Sequence, residues 1–447
     1  MAQEQDTTDV FYKHLELRET VVTGLAGDSK MKEVPAPMSV IRPSDLAARS
    51  GGNIGLRQEG QQWGDEHGLE IDGAGVHSVE ILKGPASLMY GSDALAGILI
   101  FHPEPSRAPG EAGGSFASEY QTNNGLASYS IAADGNAGGW LLGGRFSDKY
   151  AHAYSNAENG SVANSGYRQR AASAMLGRNA RWGYSRLRGS WFHLTPGMIE
   201  GEGDNFGYTP ALPLQQVHHY KLAWDNTVHL GGGNLKLLLG WQQNRRQEFE
   251  ESADEPGLDF RQNTLNYDIR WQGTLFGNWK MAFGLAGMGQ RSENLGDEYL
   301  IPAYRLLDAG IFATATRALG PWTLSGGVRT DVRLLRSEAL PGRFEAFKRH
   351  FPGISASLGA VRPIGNHFTI KANLSRGFRA PNLAELGSNG EHEGTFRFEV
   401  GNKDLSPEYS LQADLGVDFS SRVLSVQASA FASRIDNYIF AARNGSY

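Results

Sequence analysis

The sequence predicts an all-β chain, most of it an antiparallel transmembrane β-barrel, and three observations predict it. From about Gly113 onward, apolar and polar residues alternate with a period of two. The turn signals between these runs alternate in length, tight at one end and long at the other. No stretch approaches the ~18 consecutive apolar residues of a membrane-crossing helix, and a wall of strands needs none.

The alternation is explicit in four runs. Tyr220, Leu222, Trp224 and Val228 alternate with Lys221, Asp225, Thr227 and His229. Trp322, Leu324, Val328 and Val332 alternate with Thr323, Ser325, Arg329 and Asp331. Phe368, Ile370, Ala372 and Leu374 alternate with Thr369, Lys371, Asn373 and Ser375, and Leu411 to Phe419 follows the same rule. A soluble sandwich has the same period, so the connections decide. Tight turns are expected at Asp134–Gly138, Gly231–Asn234, Phe276–Asn278, Leu319–Pro321, Ile364–Asn366 and Ser420–Arg422. Long loops are expected at Ser155–Gly166, Pro196–Gln215, Glu250–Gly257, Ser292–Pro302, Ser337–Phe347 and Gly377–Glu408. That asymmetry belongs to outer-membrane barrels, whose long loops lie outside. About fifteen strands fit between Gly113 and Phe440.

Ahead of the barrel, Val79–Leu82 reads as a short strand broken by Gly84-Pro85. A compact apolar turn follows through Ala86, Leu88, Met89 and Tyr90, punctuated by Gly91 and closed by Gly97, and Ile98–Phe101 reads as a second strand. Taken in order, Glu80, Lys83, Gly84, Pro85, Tyr90, Gly91 and Gly97 make this stretch resemble the end of the plug domain of TonB-dependent outer-membrane receptors. Lys83 stands where that family usually has Arg, and Ile100 where it often has Asn. Two later segments are similar to the family's barrel motifs: Gly377-Phe-Arg-Ala-Pro-Asn-Leu-Ala-Glu-Leu386 and Asn402-Lys-Asp-Leu-Ser-Pro-Glu408, with Ser406 in place of the usual Lys.

The resemblance implies further expectations. Glu19, Thr20, Val21, Val22 and Thr23 resemble the TonB box, an extended peptide that pairs with a strand of the energy-transducing TonB protein. Lys32–Ile41 resembles the first plug strand, and Ser44–Arg49 looks like a capped helix start. The family's next helix and strands are missing after Gly55, a shortfall of roughly forty residues. The family barrel has 22 strands, so about seven are expected to be missing from the C-terminal side. The divisions expected are an N-terminal periplasmic segment with the TonB box over 1–30, a shortened plug over 31–112 and a truncated barrel over 113–447.

No G-x-S-x-G, P-loop or H-E-x-x-H pattern and no cysteine is present, so neither an enzyme nor a cofactor is expected. A net charge of -6 without a basic cluster argues against nucleic acid. The expected function is capture and energy-coupled uptake of a scarce metal complex of the siderophore-iron, haem or zinc class in a Gram-negative outer membrane. Its expected partners are TonB, the ligand, and outer-membrane lipid with lipopolysaccharide. A passive porin-like channel and a surface adhesin are the rivals. Trp63, Asp65, Glu66 and His67, in what resembles the apical plug loop, and Glu391 and His392 in a long loop are the candidate ligand residues. Asp, Glu and His suit borderline and hard metals, and His67 with Glu66 is the candidate metal pair.

Overall fold

The computed structural model describes residues 21–22, 29–30, 33–36, 38–41, 70–83, 88–91, 93–95, 97–199, 207–392 and 397–443. The helix expected at Ser44–Arg49 lies outside them. In chain order the first strands are β1 (Val21–Val22), β2 (Ser29–Lys30), β3 (Met38–Ile41), β4 (Ser78–Lys83) and β5 (Gly97–His102). Then come β6 (Ala112–Gln121), β7 (Leu126–Ala137), β8 (Trp140–Ala151), β9 (Ser155–Asn156), β10 (Gly160–Ser161), β11 (Tyr167–Ala180) and β12 (Gly183–Pro196). Next are β13 (Leu214–Leu230), β14 (Gly233–Phe249), β15 (Leu258–Leu275), β16 (Trp279–Asn294), β17 (Tyr304–Leu319) and β18 (Trp322–Ser337). The last are β19 (Lys348–Ile364), β20 (Phe368–Arg379), β21 (Asn389–His392), β22 (Arg397–Val400), β23 (Glu408–Ser420) and β24 (Ser425–Asp436).

Fifteen of these strands form one antiparallel sheet in which every strand pairs with its neighbour along the chain, the small hairpins β9–β10 and β21–β22 standing apart. Side chains at odd and even positions therefore face opposite sides throughout. On β18, Trp322, Leu324 and Val328 are exposed while Arg329, Asp331 and Arg333 are buried. On β20, Phe368, Ile370 and Leu374 are exposed while Lys371, Asn373 and Ser375 are buried. The same inversion of soluble-protein burial holds on β13 and β23. An apolar outer face over a polar inner face is the arrangement that lipid outside and a polar lumen inside require.

The turns depart from expectation in places: the turn Arg181-Trp182 between β11 and β12 was not among those expected, and Gly233-Asn234 belong to β14. Asp134–Ala137 continue β7, paired with β6 as far as Gly135↔Ala112 and with β8 as far as Ala137↔Trp140, so the turn is Gly138-Gly139. Both of those glycines have positive φ, 57° and 87°, as do Gly231 and Gly232 between β13 and β14. Two successive left-handed residues give the two-residue hairpin turn whose twist matches the flanking strands. At the other rim, β6 and β7 are joined by only Thr122–Gly125, so the long loops begin after β8.

A separate sheet, β3–β4–β5, packs around Val34, Ala36, Met38 and Leu82. At the long-loop rim a larger apolar cluster of strand ends and loop residues includes Phe260, Leu300, Ile301, Leu335, Phe351, Phe378 and Leu386. It holds the helix α1 (Leu383–Gly387), whose N-cap Asn382 and residue Glu385 form a reciprocal capping box. Arg379 joins the two sequence motifs of this region, donating to both Glu385 oxygens at 3.0 Å and to Glu408 at 2.5 Å.

Candidate functional site

Among the described residues, Pro35 lies against Gly359 of β19, and the small sheet and its flanking segments carry buried charge at two of the other places where they meet the inner face of the wall. The first is Glu70, immediately before a 3-10 turn (Gly73–Gly75) whose N-cap Asp72 accepts from the Ala74 amide at 3.1 Å. Glu70 is buried, and Arg246 Nη2 donates to its Oε1 at 3.1 Å. Asn244 Nδ2 donates to Oε2, and His219 Nδ1 lies 2.8 Å from the same oxygen, off the hydrogen-bond axis. Lys221 Nζ donates to the Glu70 carbonyl at 3.4 Å. The pleat explains the convergence. His219 and Lys221 are two apart on β13, Asn244 and Arg246 two apart on β14, and His219 faces Asn244 across the strands. Beside them Ser147 on β8 donates to Asp72 at 2.8 Å.

The second contact is the 3-10 turn Leu88–Tyr90, in which Leu88 and Met89 are buried. Met89 packs against Ala286 and Phe312, and Arg270 Nη1 approaches its sulfur at 3.4 Å. Arg329 donates to the Leu88 and Met89 carbonyls at 3.5 and 3.3 Å. Asp331 accepts from its Nε at 2.7 Å and fixes the guanidinium's orientation. One step along β18, Arg333 bridges Asp93 of the small sheet's connecting segment and Asp308 of β17, each at 2.5 Å. Lys371, another inward cation, pairs with Asp418 at 2.7 Å.

The other sequence-derived residues fall as follows. Glu80 is buried on β4 and paired with His102 Nε2 at 2.9 Å. Lys83 ends β4, and Tyr90, Gly91 and Gly97 follow, whereas Gly84 and Pro85 lie outside the described residues. Val21 and Val22 form β1, paired with Lys30 and Ser29, while Glu19, Thr20 and Thr23 lie outside. Trp63, Asp65, Glu66 and His67 also lie outside. Glu391 and His392 are on β21, hydrogen-bonded to β22, with side chains outside the described set. Among the described residues no group of three or more His, Asp or Glu is placed to hold a metal ion. Sequence reasoning missed Glu70, Asp93, Asn244, Arg246, Arg270 and Arg333. The usable signal was charge at inward parity in mid-strand, which Arg333 shares with Arg329 and Asp331.

A wall with an apolar exterior and a small sheet fastened to its polar interior defines a plugged outer-membrane barrel. The sequence matches the family description "TonB dependent receptor-like, beta-barrel" over residues 104–447 and "TonB-dependent Receptor Plug Domain" over 53–98. The chain belongs to the TonB-dependent receptor family, whose members are outer-membrane proteins of Gram-negative bacteria. It is 21% identical over 374 residues to the vitamin B12 transporter BtuB of Vibrio vulnificus, covering 81% of this chain and 55% of the relative. The same transporter of Photobacterium profundum is 21% identical over 383 residues, 83% and 56%. The chain thus spans about half the length of the curated relatives it matches. Among solved structures, the hemophore receptor HasR of Serratia marcescens, in complex with its hemophore HasA and heme, is similar with a TM-score of 0.75 at 18% identity, over 91% of this chain and 74% of that one. The FrpB iron transporter of Neisseria meningitidis gives 0.68 at 16%, over 82% and 62%.

Proposed function

We propose that this chain forms the plug and part of the barrel of a receptor that takes up a scarce metal complex by energy-coupled transport. The observation that carries the reading is the fastening of the small sheet inside the wall through Glu70, Leu88–Met89 and Asp93. A passive channel has no use for an internal sheet tied at separate points by buried ion pairs. An adhesin needs only its loops. The related proteins carry vitamin B12, heme or iron by their names, which favours a metal chelate as the cargo class.

Energy coupling enters through the segment around Val21–Val22. In β1 these residues pair with β2, so pairing with a TonB strand exchanges one short ladder for another. Traction there loads the small sheet, and the polar contacts at Glu70 and Asp93 are the ones a pull must exchange for water. Trp63, Asp65, Glu66 and His67 with Glu391 and His392 are the proposed ligand residues, His67 and Glu66 the proposed metal pair. Outer-membrane lipid and lipopolysaccharide surround the wall in this reading.

The test is uptake by cells carrying the full-length receptor. Deletion of residues 19–23 is expected to abolish accumulation of the metal complex and leave surface binding intact, whereas a channel would still conduct. A His67→Ala, Glu66→Ala pair is expected to weaken binding of zinc or a ferric complex at least tenfold, about 1.4 kcal/mol. Unchanged affinity for every complex tested removes the metal pair and leaves the family assignment standing.

A further inference from the structure

The outward face carries a row of cations at the long-loop rim, and one sector of it differs from the rest. On β14 to β16 each cation is matched within the wall. Arg245 pairs with Asp259 at 2.6 Å, and Arg261 and Arg291 share Glu293 at 3.0 and 2.7 Å. On β17 to β19 the row continues as Arg305, Arg336, Lys348 and His350, all exposed. Arg305 faces Arg336, and Arg336 faces Lys348, as direct cross-strand partners. Like charges placed opposite each other repel. The one carboxylate in ion-pair range among the described residues is Glu338, 3.7 Å from Arg305 and itself half exposed.

These residues rim a groove of about 410 Å³ on the outer surface. Its other outward side chains are Leu307 and Leu334, both exposed and one pleat step toward the middle of the apolar belt. Cations on the loop side and leucines on the membrane side fit an amphiphile lying upright against the wall, its anion above and its chains below. Amphipathic stems let Arg and Lys lie on apolar surface while their charged ends reach upward. Arg supplies a planar fork for phosphate oxygens and Lys a compact charge.

We propose that the β17–β19 sector binds the phosphorylated headgroup of an outer-leaflet glycolipid, through Arg305, Arg336 and Lys348, with acyl chain on Leu307 and Leu334. The headgroup supplies the negative charge that the wall supplies for itself at β14–β16. The proposal rests on the wall standing in the outer membrane and deepens the lipid contact proposed above. Its failure leaves that placement intact, because insertion depends on the whole apolar belt.

The experiment uses the purified full-length protein in detergent micelles, freed of lipid and titrated with diphosphorylated lipid A, dephosphorylated lipid A and inorganic phosphate. Strand content is checked by circular dichroism, and Arg336→Gln with Lys348→Gln replaces the charge reversal if that variant fails to fold. Lipid A should bind wild type at least tenfold more tightly than its dephosphorylated form. Arg336→Glu with Lys348→Glu should remove that difference, and the salt dependence of binding should flatten. Arg422→Glu, at the opposite rim, should change nothing. Equal binding of both lipid forms, unchanged affinity in the double variant, an equal loss in Arg422→Glu, or displacement by equimolar inorganic phosphate would each overturn the proposal.

Discussion

Two of the charged places where the plug meets the wall are built on opposite principles. At Glu70 one buried carboxylate meets Arg246, Asn244 and His219, with Lys221 on its backbone carbonyl. At Leu88–Asp93 a packed Met89 and Leu88 sit beside arginines that are braced by the wall's own aspartates. In the first, the wall's groups converge on the plug and lose that partner when it leaves. In the second, Asp331 and Asp308 remain to neutralise Arg329 and Arg333. The second site is therefore pre-organised in the wall, and the first is completed only by the plug. Breaking a buried pair costs more than the pair contributes, because the remaining charge stays uncompensated.

That difference can be broken experimentally, and the largest effect is expected from Arg333→Ala. Two aspartates lose their common partner, and the seat should lose about 3–5 kcal/mol, read as faster hydrogen exchange at residues 93–102. If residues 70–76 open equally, the two contacts are one cooperative unit and the contrast fails. Met89→Ala removes packing on Ala286 and Phe312, with an expected loss of about 2–3 kcal/mol in the thermal stability of the plug. Glu70→Gln keeps the side chain's shape and removes the negative charge that Arg246 pairs with. It is expected to cost about 1–3 kcal/mol, confined to protection of 70–83, and raised salt should mimic it weakly because the site is buried.

A surface pair gives the lower limit. Lys403 Nζ donates to Glu345 at 2.8 Å in the outer loops and holds that carboxyl below its ordinary value. A depressed folded-state pKa means the contribution is present above the unfolded value of 4.5 and is lost as pH falls below it. Both groups are solvent-exposed, so Lys403→Ala should leave loop protection unchanged at pH 7. A measurable loss would show that the loop cluster leans on charge more than on its apolar core.

The wall was legible because its rule is local. Trp322, Leu324 and Val328 against Arg329 and Asp331 declares both faces of β18 within a dozen residues. The turn at Gly138-Gly139 was misplaced because Asp134-Gly-Asn is as turn-prone as Gly-Gly, and only pairing with β6 keeps it in strand. The plug contacts were not legible for a different reason. Lys221, Asn244 and Arg246 lie 151, 174 and 176 residues from Glu70, and no periodicity connects them. The joining of two motifs through Arg379 shows a middle case: both were visible, but their union needed the loop folded back.

Because each wall strand pairs only with its sequence neighbours, the sheet can grow or shrink by whole hairpins without rewiring any other ladder. Such a change preserves which rim carries turns and which carries loops, so lineages can vary circumference while conserving polarity. Parity adds a rule. With fifteen strands in alternation, β6 and β24 point the same way, and joining them directly would create a parallel seam in an otherwise antiparallel cylinder. An odd number of intervening strands restores uniform alternation, and an even number leaves the seam. Circumference in this architecture is thus counted in steps of two.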